Sequence, residues 1–137
     1  MEGETAMLRL NQIIICSVVA FLFWALATLF VHTLPGSLHG LRGDIGFVTS
    51  IPVALLSVWL VCRLARLEGN QILSGCLFVM ADAMLYDAVA LRWFPTLYAP
   101  DDQTCRLASA WLLWGYGVSA WGALLLGLWR ERQAARA

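Results

Sequence analysis

Residues 71–91 read QILSGCLFVMADAMLYDAVAL, and whether this run crosses a membrane decides the fold. A helix rising about 1.5 Å per residue needs about twenty apolar residues to cross about 30 Å of hydrocarbon, and the run has that length. It also carries Asp82 and Asp87. An Asp near the centre of such a helix costs about 2.5 to 3.5 kcal/mol, while each large apolar side chain returns only about 0.3 to 0.6 kcal/mol. The run is marginal alone and has to be stabilised by neighbouring helices, with both carboxyls turned toward protein or a water-filled cleft.

Those neighbours are present. Residues 13–34, 45–62 and 107–129 are apolar runs without Asp, Glu, Lys or Arg; Pro52 is expected to kink the second of them. Of the 137 residues, 61% are hydrophobic and 13% charged, more apolar surface than a soluble domain of this size could keep from water. Short connections, punctuated by Gly36, Gly40 and Gly43 and by Pro95 and Pro100, favour antiparallel neighbours. The reading is a single all-α domain, residues 1–137, built as an up-down-up-down bundle of four transmembrane helices over about 13–34, 45–62, 71–91 and 107–129. Ala25, Leu26 and Ala27 imitate a signal-peptidase site, but Glu2 and Glu4 and the continuing apolar run predict that the first span is retained.

Nine Arg and nine acidic residues cancel, so the chain lacks the basic field that nucleic-acid binding requires. Its partners are the lipid bilayer and either a second copy of itself or a larger membrane complex. With both termini on one side, that side holds Arg9, Arg63, Arg66, Arg130, Arg132 and Arg136, against Arg42, Arg92 and Arg106 opposite. The positive-inside rule then places both termini in the cytoplasm. The absence of Lys fits a GC-rich bacterial gene, hence the bacterial cytoplasmic membrane.

The cysteines form no Cys-x-x-Cys pair, so Cys16, Cys62 and Cys76 read as small apolar filler and Cys105 as a lone outer thiol. His32 and His39 both fall at the outer end, which disfavours haem held between helices. His32, His39, Asp44, Asp101, Asp102 and Cys105 share no ligand spacing and read as solvated loop residues, so neither metal nor cofactor is expected.

Candidate sites are therefore few. Asp82 and Asp87 lie 500° of helical rotation apart, about 140° net, so they do not form a carboxylate dyad. Asp87 is within two turns of the outer boundary and open to approach from that side. Asp82 is deeper, with Tyr86 one turn away as a candidate donor. Either acid reads as a functional intramembrane group or as an interhelical hydrogen-bond partner. In the fourth span Gly115, Ser119, Ala123 and Gly127 recur every four residues, a groove in which another helix can pack closely. Trp111, Trp114 and Trp121 form a bulky stripe beside it, either core packing or a wall for an apolar ligand.

The stretch Met84, Leu85, Tyr86, Asp87, Ala88, then Phe94 and Pro95, then Leu112, Leu113, Trp114, Gly115, Tyr116 and Gly117, resembles an uncharacterised bacterial family of small four-span integral membrane proteins. Where that family carries Pro-Gly before the Met, this chain has Asp82 and Ala83. The resemblance implies the four-span architecture and favours Asp87 over Asp82; it implies no activity. The functional expectation is a non-catalytic accessory or assembly subunit packing through its fourth helix. The alternatives are a small-molecule or proton-linked transport or binding protein using Asp87, and an intramembrane acid/base enzyme whose catalytic residues are unknown.

Overall fold

The computed structural model describes residues 7–137; Glu2 and Glu4, on which the signal-peptide argument leans, lie outside them. Four helices alternate in direction: α1 (Leu10–Thr33), α2 (Gly40–Leu64), α3 (Ile72–Trp93) and α4 (Asp102–Arg136). Each is long and apolar enough to cross a membrane. Leu22, Leu56, Leu85 and Leu113 are among the large apolar side chains left exposed on their outer faces.

Each helix extends beyond its apolar run at one end or both, because polar and charged residues flanking a run continue the helix without adding to its hydropathy. α4 runs past Trp129 to Arg136 through exposed polar residues. α2 begins at Gly40 and continues unbroken through Pro52. Pro52 leaves the carbonyl of Val48 without its helical donor; one residue earlier, Phe47 O accepts from Trp114 Nε1 at 3.0 Å and from Ser50 Oγ at 2.7 Å.

α1 and α3 end alike. Leu34 and Phe94 each precede a proline and leave the helical region, with φ,ψ near −129°,53° and −133°,49°; each amide still donates to the carbonyl four residues back. A short 3₁₀ turn follows each, Pro35–Leu38 and Pro95–Leu97. The second turn delivers Tyr98, fully buried, onto the bundle.

The closest pairs are α1 with α3, α2 with α4, and α3 with α4, whereas α1 and α2 barely approach. The expectation that sequential helices pack as antiparallel neighbours therefore fails at α1 and α2. The buried stripe of α3, Cys76, Val79, Met80, Ala83, Asp87 and Ala90, follows helical spacing and seats α1 on one side and α4 on the other. One buried cluster, including Cys16, Val61, Cys62 and Cys76, fills the end holding both termini; a second, around Val31, Tyr98 and Ala108, fills the opposite end.

Each end also carries a polar clasp. Gln12 and Gln71 exchange amide hydrogen bonds at 3.0 and 3.2 Å, and Gln12 Nε2 also donates to the carbonyls of Ala65 and Arg66 at 3.3 Å. This ties the start of α1 to the α2–α3 turn. At the far end Asp101 caps α4 by accepting from Thr104 N and Thr104 Oγ1, both at 2.8 Å. With its proton committed to Asp101, the Thr104 hydroxyl accepts from His39 Nε2 at 2.8 Å. His39 and Asp101, expected as solvated loop residues, thus also fasten a helix end, and Asp101 does so while exposed. The two Thr104 bonds, backbone first, and the nearby His39 hold the Asp101 carboxyl below the usual carboxylate range.

Candidate functional site

Between the two buried clusters the bundle is not filled. A cavity of about 570 Å³ lies among all four helices, walled by Phe23, Trp24 and Phe30 of α1, Met80 and Ala83 of α3, and Trp111 and Tyr116 of α4. It exists because α1 and α2 do not close on each other, and small residues, Ala27, Gly46, Ala54 and Gly115, line it where bulk would fill it. The exposed lining residues Leu26, Phe30, Thr49 and Val53 stand on α1 and α2, so the mouth lies between those helices.

Among the described residues, no Asp, Glu, Lys, Arg or His lines the cavity. Its serine and threonine hydroxyls are largely spent on their own backbone: Thr49 on Ile45 O, Ser50 on Phe47 O, Ser57 on Val53 O and Ser37 on Leu34 O, at 2.6 to 3.0 Å. The walls therefore present aromatic and aliphatic surface with few free donors, the lining that suits a ligand dominated by apolar surface.

One polar constellation backs onto this space. Asp87, only 6% exposed, lies one turn beyond Ala83 on the same face of α3. The Tyr98 hydroxyl donates to its Oδ1 and the Tyr116 hydroxyl to its Oδ2. Trp24 Nε1 donates to the Tyr98 oxygen at 3.0 Å, which leaves the single Tyr98 proton for Asp87. Thr28 Oγ1, buried beside Tyr98, completes no hydrogen bond. The arrangement thus draws one group from each of α1, α3, α4 and the α3–α4 connection. Burial, and then the bond to Asp87, pushes the Tyr98 hydroxyl up to about 12.

Local geometry explains why these side chains meet. Helical side chains lean toward the start of their own helix, so on antiparallel α3 and α4 Asp87 and Tyr116 lean in opposite directions and close the gap in depth between them. Tyr98 is brought over Asp87 by the proline corner at Phe94 and Pro95. Asp87 is accordingly roofed by tyrosine, where the sequence suggested a carboxyl open to approach from the outer end.

The other candidates separate. Asp82 is half-buried on a different face and accepts from Ser17 Oγ at 3.3 Å. Tyr86 turns from Asp82 and packs its ring against Phe21 and Trp24, with centroids 6.1 and 5.7 Å away. The small-residue row on α4 divides: Ala123 and Gly127 are buried in the bundle, while Gly115 and Ser119 line the cavity. The tightest glycine approach on α4 is Gly122, where a Cβ would meet Leu55 Cδ2 at 2.6 Å. The tryptophans divide too. Trp111 walls the cavity, whereas Trp114 and Trp121 border a shallower hollow of about 450 Å³ between α2 and α4 on the outer surface.

Sequence reasoning missed Tyr98 as a partner of Asp87 and Trp24 as the donor behind Tyr98, and met Tyr116 only within a motif. Cys16, Cys62 and Cys76 are free thiols buried together in one apolar cluster. Among the described residues, no three His, Cys, Asp or Glu side chains gather as a metal site.

No curated protein and no solved structure matches the chain. A family model, described as a family of unknown function, DUF5367, matches residues 45–133. That match takes in α3 entire and most of α2 and α4, with Asp87, Tyr98, Trp111 and Tyr116, and it spans well over half of the sequence. The chain belongs to the DUF5367 family.

Proposed function

We propose that the protein is a multi-pass protein of the bacterial cytoplasmic membrane, both termini cytoplasmic, that binds a small and largely apolar molecule in the cavity between its helices. The observation that carries this reading is the cavity itself, of ordinary ligand-site size, aromatic-walled, with its mouth between two apolar helices. In a bilayer that mouth faces acyl chains, so the ligand enters sideways from the membrane. The orientation is supported by six Arg at the end with both termini against three at the other.

A ligand that binds only the native state raises thermal stability with the logarithm of its concentration above Kd. Gly115 offers a way to plug the site, because a Cβ there meets no atom within 4 Å. Screening apolar compounds against purified protein should find members that raise Tm of the wild type and leave Gly115→Leu unmoved. A library that shifts neither protein, or shifts both equally, contradicts the reading.

A second reading, the accessory subunit, retains one specific observation. On the outer face of α4, Leu113, Trp121 and Leu125 are exposed around Gly117, where a Cβ would meet nothing within 4 Å. This is a surface on which a helix of another chain could lie closely. Gly117→Ile should then lower the oligomeric order in mild detergent; an unchanged mass of the assembly removes this reading.

A further inference from the structure

Resting on the cavity as a binding site, we propose that its ligand is a lipophilic cation: an aromatic or alicyclic body bearing one positive charge, set against Asp87 across Tyr116. Trp24 and Tyr116 belong both to the cavity wall and to the hydrogen-bond set around Asp87, so the two features are one site. Tyr98, whose oxygen accepts from Trp24, donates to Oδ1, and Tyr116 donates to Oδ2, so both carboxyl oxygens accept and the set fits an ionised Asp87. A cation bound beside it would favour that ionised form.

An ionised Asp87 has no fixed counter-charge paired with it among the described residues. Among the described residues the one salt bridge is Arg9 with Glu68, at the end holding the termini. Two hydroxyls stabilise a carboxylate but leave its net charge in place, and in a low-dielectric interior that charge is felt over several ångströms. The cavity wall adds no charge of either sign. What it adds is aromatic: Phe23, Trp24, Phe30, Trp111 and Tyr116, whose ring faces attract cations. Carboxylate and rings select the same sign. A neutral ligand gives no support to the ionised carboxyl, and an anion would be repelled by it.

Tetraphenylphosphonium and tetraphenylborate, alike in shape and opposite in charge, separate these cases. Equilibrium dialysis would use purified wild-type protein, Asp87→Asn and Gly115→Leu in a neutral detergent. Subtracting uptake by Gly115→Leu removes partition into the micelle. The expected result is wild-type binding of the phosphonium at least tenfold tighter than of the borate, with Asp87→Asn erasing that preference. Equal binding of both ions by the wild type overturns the charge assignment and leaves the apolar cavity standing. Specific binding of neither overturns both. The wild-type comparison needs no variant to fold apart from the subtraction, for which Ser119→Leu is the substitute, since Ser119 lines the same cavity. A preference that persists in folded Asp87→Asn shows that the sign is set elsewhere and also contradicts the proposal.

Discussion

Asp87 is held by two hydroxyls whose rings come from different parts of the chain, and this makes its replacement graded rather than all-or-none. Asn can keep an oxygen toward Tyr98 and turn its amide to Tyr116, which must then reverse its hydroxyl and lose one bond. We expect Asp87→Asn to cost about 1 kcal/mol, a single net hydrogen bond. Leu leaves both hydroxyls without their acceptor, at about 1 to 3 kcal/mol each. Thermal denaturation in detergent should rank wild type above Asn and Asn above Leu; Leu as stable as Asn would show that the tyrosines do not depend on the carboxylate. Tyr98 gives a pH signature. Its hydroxyl loses a proton less readily folded than unfolded, so its contribution to stability is complete below the ordinary tyrosine pKa of about 10 and is lost as pH rises through about 12. An alkaline ultraviolet titration should show a late-ionising tyrosine that Tyr98→Phe removes; an identical late component in the variant would contradict this. At this scale Asp87 was legible because an acid within an apolar run is conspicuous. Tyr98 was not, because a lone tyrosine in a proline-bounded connection shows no period, and only the turn geometry brings it back over the bundle.

The four helices were legible from their apolar runs, since hydropathy over about twenty residues is a direct physical signal. Their ends were not, because polar residues prolong a helix without leaving an apolar trace, as from Arg130 to Arg136. Nor was the pairing of helices. A four-residue small spacing marks a face that permits close approach, but the approach on α4 is tightest at Gly122, one position off that row. This yields a direct comparison. Gly122→Val presses a side chain onto Leu55 and should cost about 1 to 3 kcal/mol by overpacking, while Gly115→Val projects into the cavity and should be close to neutral. Denaturation midpoints of the two variants decide it; equal losses would mean that the α2–α4 contact is not the tight one.

As a whole, the molecule has two clasped ends and a hollow middle, with both termini at one end. The native thiols report poorly on which end faces the cytoplasm, since Cys16, Cys62 and Cys76 are buried. Exposed positions serve better: Thr96 in the Pro95–Leu97 turn and Ala134 near the end of α4. With a membrane-impermeant maleimide on intact spheroplasts, Thr96→Cys should react and Ala134→Cys should react only after permeabilisation. The opposite pattern would invert the orientation and leave the bundle unchanged.

The central claim is that the hollow middle holds a molecule, and native mass spectrometry after gentle extraction from the membrane tests it most directly. The wild type should carry a bound small molecule at one per chain, and Gly115→Leu, equally stable but with its cavity plugged, should have lost it. Wild type and Gly115→Leu with the same adducts, or a wild type stripped of any adduct at every extraction condition, would contradict the account.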